Sequence, residues 1–271
     1  MKNHMQPREH IAHSIREATA VGRPALVGYL TAGFPKPENF QQLLCDVAAV
    51  ADVMEVGVPF SDPMADGLTV QRSSRAALAQ GVSLTWILDT LTHATQKPAA
   101  PIVLMSYLNP LLAFGFERLA RVAHDAGVSG FIVPDLPYEE SGELRAALDA
   151  HGLALLQMVT PVTPDERLAM LCKQAQGFVY AVTMTGTTGQ RAAVHNDVLR
   201  YMDKVRSLSP VPVVAGFGIR SYDQVKLMTG HVDGVVLASA LVEVLERDED
   251  PVEFLREFRP EKFLNRRIAL D

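Results

Sequence analysis

A regular alternation of strand-like and helix-like segments constrains the fold of this 271-residue chain more than any other feature. Short runs rich in apolar and β-branched residues recur, and each is followed by a turn cluster and an amphipathic stretch with helical spacing. Such alternation is typical of parallel βα units. The strand-like runs lie at 25–32, 53–60, 101–107, 130–135, 153–160, 177–183, 211–217 and 234–239.

These runs favour a closed barrel over an open sheet. Most are nearly continuously apolar, as expected when helices cover both faces of a parallel sheet, and an open sheet would be covered too. Eight consecutive units favour closure, because closure removes both sheet edges. The pattern adds a helix at about 8–21 and a short last helix after 246. We predict an α/β TIM (β/α)8 barrel with an extra N-terminal helix, as a single domain over 1–271.

Composition excludes several classes of function. The net charge of −6 and the absence of Lys/Arg-rich runs leave no basic surface for nucleic acid. The apolar stretches are far shorter than a membrane span, and the beginning, MKNHMQPREH, lacks an apolar signal core. We therefore expect a cytoplasmic protein without membrane contact. Cys45 and Cys172 lie in helix-like stretches, which is typical of buried, reduced thiols.

An acidic residue interrupts the second apolar run. Glu55 would lose most of its hydration there when charged, so we expect either a buried ion pair or a chemical role. The following loop, PFSDPMADG, adds Asp62 and Asp66, and aspartate before proline or glycine is ordinary turn chemistry. A glutamate in the strand and an aspartate in this loop can nevertheless face one ligand from two sides, as paired acid–base catalysis needs.

Glycine clusters follow the last three strand-like runs. They are TGTTGQR with Gly186 and Gly189, and AGFG with Gly216 and Gly218, while Ser239 lies at the predicted start of a helix. Glycines let backbone N–H groups approach an anion, and barrels frequently bind phosphate on these units. Each glycine alone could merely serve a tight turn, but three clusters together predict a phosphate site. GFG followed by IRS lacks the third glycine of a dinucleotide fingerprint, so no nucleotide cofactor is implied.

Elimination narrows the kind of reaction. A Schiff-base aldolase needs a lysine at a strand end, and the lysines fall in predicted helices or in loops that lead into strands. A metal-dependent aldolase needs clustered histidines or carboxylates, and the histidines are scattered over helices and their ends. We therefore predict no metal and a reaction that carboxylates run unaided on a phosphorylated substrate.

Seven motifs give the chain a family resemblance. They are YLTAGFP (29–35), MEVGVPFSDPMADG (54–67), QRSSRAALAQGVSL (71–84), LMSYLNP (104–110), FIVPDLPYEES (131–141), VTPVTPDERL (159–168) and AGFGIRSYDQV (215–225). Together they resemble the tryptophan synthase alpha subunit family, from about residue 8 to 255. The stretch from Glu55 to Gly67 is the most specific of them.

The resemblance implies a lyase of L-tryptophan biosynthesis that cleaves indole-3-glycerol phosphate by a retro-aldol reaction into indole and glyceraldehyde 3-phosphate. It implies that Glu55 is the acid–base catalyst and that Asp66 binds the indole N–H. The substrate-binding residues that it implies are Tyr180, Thr188, Gly189, Phe217, Gly218, Ala238 and Ser239, with Tyr29, Leu104 and Val133 in the indole pocket. Packing in the barrel core explains Leu104 and Val133 equally well.

The family's partner is a pyridoxal-phosphate beta subunit in an α2β2 assembly, to which indole passes through a tunnel. The resemblance thus implies no cofactor in this chain. Two alternatives stay open: a stand-alone indole-releasing paralogue, and a non-catalytic subunit that activates a partner enzyme.

The chain departs from the family pattern at several positions. Ala238 replaces the usual glycine beside the phosphate-binding serine, and Leu68 replaces the proline after Gly67. The loop after the sixth run differs at Met184, Thr187 and Gln190, among other positions.

Overall fold

Nine parallel strands form one sheet in the computed structural model, which describes residues 5–183, 196–216 and 218–259. The order across the sheet is β5-β4-β3-β2-β1-β9-β8-β7-β6. The strands are β1 (Ala25–Thr31), β2 (Val53–Gly57), β3 (Ile102–Met105), β4 (Val128–Ile132), β5 (Ala154–Leu155), β6 (Gln157–Val159), β7 (Val179–Val182), β8 (Val213–Gly216) and β9 (Gly234–Leu237).

The sheet closes through the two strands at the ends of this order. Strands β5 and β6 are separated in the chain only by Leu156, yet β5 pairs with β4 and β6 pairs with β7. The Leu156 N–H continues the first pairing by donating to the Phe131 carbonyl at 2.9 Å. Residues 154–159 therefore connect the two edge strands of the sheet, and the predicted TIM barrel is confirmed. The run predicted as one strand at 153–160 is interrupted at Leu156, so that it forms the two short strands β5 and β6.

Helices follow the strands around the outside of the barrel. The predicted first and last helices are confirmed, and both cysteines are buried free thiols, Cys45 on α2 and Cys172 on α8. In the described ranges no helix is both long and apolar enough to cross a bilayer. The helices are α1 (Pro7–Ala20), α2 (Phe40–Ala48), α3 (Leu68–Ala79), α4 (Leu84–Thr92), α5 (Leu108–Phe114), α6 (Phe116–Asp125), α7 (Gly142–Asp149), α8 (Asp165–Lys173), α9 (Asn196–Leu208), α10 (Tyr222–Met228), α11 (Ser239–Glu246) and α12 (Pro251–Glu257), with short 3-10 turns at Pro37–Asn39 and Tyr138–Glu140.

Helix α1 closes the end of the barrel at which the strands begin. It starts with Pro7, whose fixed φ suits a first helical position, and Gln6 and Glu9 form a capping box around that start. Ile11 and Ile15 on its inner face are fully buried. They pack in one apolar cluster with side chains near the starts of the strands, including Ala25, Val27, Val53, Val103, Phe178, Val214 and Val236.

This inner cluster establishes which face of each strand points into the barrel. Because side chains alternate along a strand, the residue two positions after a member of the cluster also faces the interior. Tyr29 follows Val27, Glu55 follows Val53, and both lie further toward the carboxyl ends of their strands. The interior is thus apolar at its base and carries polar side chains toward the mouth, where barrel active sites lie.

A buried ion network at the base links distant parts of the chain. The Asp52 carboxylate, just before β2, accepts hydrogen bonds from Arg23 at 2.6 Å and from Arg259 at 3.0 Å. It also accepts the backbone N–H of Leu26 at 2.9 Å. Burial alone would raise the pKa of Asp52, but the two guanidinium groups outweigh burial and hold that pKa below its usual value. The network fixes the entry to β1 and β2, and therefore the base on which the site is built.

Candidate active site

Glu55 lies inside the barrel, almost completely buried. It pairs in register with Tyr29 on β1 and with Val103 on β3, and only 1% of the residue is exposed. Among the residues that the structure describes, none forms a hydrogen bond with Glu55 Oε2. Burial, followed by the nearby charge of Asp66, raises the pKa of Glu55 to about 8. Glu55 is therefore mostly protonated at neutral pH and can donate a proton.

Asp66 lies on the loop after β2, which several hydrogen bonds hold in shape. The Asp66 N–H donates to the Pro63 carbonyl at 3.1 Å, and Gln71 Nε2 donates to the Asp66 carbonyl at 2.8 Å. The Tyr107 hydroxyl accepts the Ala65 N–H at 2.9 Å and bonds the Asp66 carboxylate. Burial raises the pKa of Asp66 to about 6, although the Tyr107 bond opposes that rise. At neutral pH Asp66 is therefore mostly ionised.

Glu55 and Asp66 act electrostatically on the same two tyrosines, Tyr29 and Tyr180. Negative charge on Glu55 and Asp66 adds to burial in raising the pKa values of both Tyr29 and Tyr180. Of the residues predicted from the sequence, the structure thus brings Glu55, Asp66, Tyr29 and Tyr180 together inside the mouth of the barrel. One of the two carboxyls can hold a proton while the other carries charge, a division of roles that acid–base chemistry needs.

Two glycines make room for the two tyrosines. A methyl group on Gly57 would lie 2.1 Å from the Tyr29 hydroxyl oxygen, and one on Gly216 would lie 2.0 Å from the Tyr180 ring. Each tyrosine therefore crosses the face of the next strand at a position that only glycine can occupy. The sequence groups Gly216 with the phosphate-binding glycines, but the space beside it is filled by Tyr180.

Leu104 and Val133 do not meet the carboxylates. Leu104 lies between residues that pair with Glu55 and Gly57, so its side chain points to the opposite face of the sheet, into the helix layer. Val133 directly follows Ile132, which faces the interior, and lines a cavity of about 350 Å³ beside the loops after β4 and β6. Met105 and Ile132, which pair with each other and pack on the inner cluster, face the interior instead. We therefore expect these two to line the pocket in place of Leu104 and Val133.

The described part of the predicted phosphate site lies at the ends of β8 and β9. Gly218 has a φ of +75°, a conformation that favours glycine. Ser239 is the first residue of α11, where backbone N–H groups lack helical acceptors and favour an anion. Ala238 precedes it with a φ of −104°, so the backbone here does not need the left-handed conformation that a methyl group would disfavour. Thr188, Gly189 and Phe217 lie outside the described residues, as do the altered loop positions Met184, Thr187 and Gln190.

A charged link joins the helix at this site to the helix that follows Asp66. Glu243, one turn after Ser239 on α11, accepts two hydrogen bonds from Arg220 at 2.6 and 2.8 Å and one from Thr69 on α3 at 3.2 Å. Arg72 on α3 also holds Glu246 through two bonds of 3.0 and 2.9 Å. The start of α11, where the sequence predicts phosphate binding, and the helix after Asp66 are thus tied together by these bonds.

Tyr107 contacts the candidate site, and sequence reasoning missed it. Its ring stacks on Phe60 with the ring centres 5.0 Å apart, and its hydroxyl holds the loop that carries Asp66. The motif LMSYLNP contains it, and its position just after β3 was the available signal, since side chains at strand ends gather at one mouth.

Comparison with known proteins agrees with this architecture. The profile of the family "Tryptophan synthase alpha chain" matches residues 15–262. A tryptophan synthase alpha chain from Solidesulfovibrio magneticus is 46% identical over 246 residues, which are 90% of this chain and 96% of the relative. The crystal structure of tryptophan synthase subunit alpha from Legionella pneumophila superposes with a TM-score of 0.83 at 30% identity, over 94% of this chain and 98% of that chain. The chain therefore belongs to the tryptophan synthase alpha chain family.

Proposed function

We propose that Glu55 and Asp66 carry out the retro-aldol cleavage of indole-3-glycerol phosphate in this alpha chain, as the lyase step of tryptophan biosynthesis. The observation that carries this assignment is the pair of carboxyls at the barrel mouth, the buried Glu55 and the half-buried Asp66, whose raised pKa values leave one protonated and the other charged near neutral pH. Family membership supplies the substrate and the reaction.

The proton movements follow from these states. Protonated Glu55 donates its proton to indole C3 and so forms an indolenine, because the indole carbanion is a poor leaving group. Ionised Asp66 accepts a hydrogen bond from the ring N–H and stabilises the positive charge that develops there. Glu55, now a carboxylate, takes the proton of the adjacent side-chain hydroxyl. As the hydroxyl oxygen forms the aldehyde C=O bond, the electron pair of the carbon–carbon bond moves to the indolenine ring, which releases neutral indole and the aldehyde and leaves Glu55 protonated as at the start.

The phosphate group of the substrate binds, in this proposal, at Gly218, Ala238 and Ser239, together with Thr188, Gly189 and Phe217. The N-terminus of α11 supports this assignment, since its N–H groups and dipole favour an anion.

We further propose that the chain works with a beta subunit in an α2β2 assembly. The support is an exposed apolar rim, which we define as Met64, Leu112 and Val162. These side chains are 84%, 51% and 74% exposed and follow β2, β3 and β6, so all lie toward the end of the barrel that carries the site. Exposed apolar side chains grouped around a site are typical of a protein interface.

The direct test is indole release from indole-3-glycerol phosphate, with and without a beta subunit. We expect Glu55→Gln and Asp66→Asn each to lower kcat by about 10²- to 10⁴-fold. Asp62→Asn is the matched control, because Asp62 is an exposed carboxylate on the same loop and hydrogen-bonds to Ser61. It should retain the activity of the unchanged chain.

The same assay separates the alternatives. A high rate without any beta subunit would favour a stand-alone indole-releasing enzyme. If Glu55→Gln left activation of the partner intact while the unchanged chain released no indole, the chain would be a non-catalytic activator, and the proposed chemistry would be abandoned.

A further inference from the structure

Three buried hydroxyl groups form a chain of hydrogen bonds that begins at the site. The Tyr29 hydroxyl lies 3.3 Å from Thr31 Oγ1, and Thr31 Oγ1 lies 2.6 Å from Ser73 Oγ. Ser73 Oγ in turn lies 2.9 Å from the Val70 carbonyl oxygen. Thr31 and Ser73 are completely buried, so water does not compete for these bonds.

The bond from Ser73 to the Val70 carbonyl determines which hydroxyl donates in each of the other bonds. A carbonyl oxygen can only accept, so Ser73 must donate its single proton to Val70. Ser73 then accepts from Thr31, and Thr31, whose proton is used in that bond, accepts from Tyr29. The Tyr29 proton therefore points along the chain toward α3.

Glu55 offers an alternative acceptor on the same inner face, because its Oε2 has no hydrogen-bond partner among the described residues. Tyr29 is the register partner of Glu55 on the neighbouring strand, and its hydroxyl lies over Gly57, two residues beyond Glu55 on the same face. The other ionisable groups that act on this region are Asp66 from the loop after β2, Tyr107 from the end of β3 and Tyr180 from β7. A hydroxyl that donated to the Glu55 carboxylate would stabilise its charged form.

We propose that Thr31 and Ser73 are positioning residues that turn the Tyr29 proton away from Glu55 and so keep Glu55 protonated and ready to donate at neutral pH. This inference rests on the proposed role of Glu55. Ser73 also lies on α3, the helix that begins directly after the Asp66 loop, so the same hydroxyls join strand β1 to that loop.

The test replaces Thr31 by valine, which keeps the shape and removes the acceptor. The full chain is labelled with ¹³C at the glutamate side-chain carboxyls and titrated by NMR, and the Glu55 signal is assigned as the one missing from Glu55→Gln. The freed Tyr29 hydroxyl can then donate to Glu55. We expect the titration midpoint of Glu55 to fall by roughly one pH unit, with the limb of the kcat profile that belongs to Glu55 moving in the same direction.

Two further variants exclude a merely structural effect. Thr31→Ser keeps the hydroxyl and should keep the original midpoint, whereas Ser73→Ala deprives Thr31 of its acceptor and should lower the midpoint as Thr31→Val does. In a Tyr29→Phe background, Thr31→Val should produce no shift, because no hydroxyl remains to turn. An unchanged midpoint in both Thr31→Val and Ser73→Ala, or an equal shift in the Tyr29→Phe background, would overturn the inference. Full activity of Glu55→Gln would instead refute the proposed function on which the inference rests.

Discussion

Glu55 opposes folding in the same pH range in which the proposed mechanism uses its proton. Glutamate ordinarily has a pKa of 4.5, whereas burial raises the pKa of Glu55 to about 8 in the folded chain. Below pH 4.5 both states are protonated, and the group does not affect stability. Between these two values the unfolded chain ionises while the folded chain holds its proton, so rising pH progressively favours unfolding. Other interactions of the folded chain must therefore offset the cost of keeping the Glu55 carboxyl buried.

This cost predicts that Glu55→Gln stabilises the chain as the pH rises. We expect the free energy of unfolding of the variant, relative to that of the unchanged chain, to increase by roughly 4 kcal/mol between pH 5 and pH 8. Urea denaturation at the two pH values measures this difference, and any pH-independent effect of the amide cancels. Asp62→Asn, at an exposed carboxylate, should show no such gain. Equal pH dependence of the Glu55→Gln and unchanged chains would mean that Glu55 is not held protonated.

The role of a residue can be predicted from the sequence when its neighbours in the sequence reveal that role. Glu55 could be predicted because a charged residue inside an apolar run has few explanations, and Asp66 because it lies in a specific loop motif. The contact of Tyr107 with the Asp66 loop and the clearance that Gly57 gives Tyr29 could not be predicted, because each depends on a contact between segments far apart in the chain. No local pattern marks which tyrosine will reach which loop.

For the strands, the sequence predicts their positions better than it predicts which face of each strand points into the barrel. All eight predicted runs contain strands, because apolar, β-branched runs between turns have few alternatives. The same continuous apolar character removes the alternation that would tell the inner face from the outer one. Leu104 and Val133 were therefore chosen where Met105 and Ile132 face inward. The division of the fifth strand at Leu156 was hidden too, since exchange of bonding neighbours is a property of the closed barrel.

The link between α3 and α11 predicts a role for Glu243 in substrate affinity. Glu243 holds Arg220, which follows Gly218, and Thr69, which follows Asp66, and it lies one turn after Ser239. We expect Glu243→Gln to loosen this end of the site and to raise KM for indole-3-glycerol phosphate a few-fold, with a smaller effect on kcat.

Steady-state kinetics of indole release measure both constants. Glu249→Gln is the control, because Glu249 also accepts two hydrogen bonds from one arginine, Arg247, but belongs to the polar turn before α12. A similar rise in KM for both variants would show a general effect of surface charge and would contradict a role for the link.

The two ends of the barrel as a whole differ in the structural features that they carry. The end where the strands begin is closed by α1 and by the Asp52 network, which join chain segments near both termini to the base of the sheet. The other end carries the carboxylates, the loops and the apolar rim. In barrels of this fold the loops after the strands carry the active site, whereas the opposite end contributes to stability.

This division predicts that charge placed on the apolar rim weakens partner binding without harming the fold. Val162 lies on the loop after β6 with 74% of its surface exposed, so Val162→Asp removes apolar area from an interface and buries a charge there on assembly. We expect the affinity for a beta subunit, measured by isothermal titration calorimetry, to fall at least tenfold. The thermal unfolding midpoint and the indole release of the isolated chain should stay unchanged. Leu227→Asp is the matched control, because Leu227 is a similarly exposed apolar residue on α10, away from the rim. Equal weakening by both variants, or by neither, would place the partner surface elsewhere on the barrel.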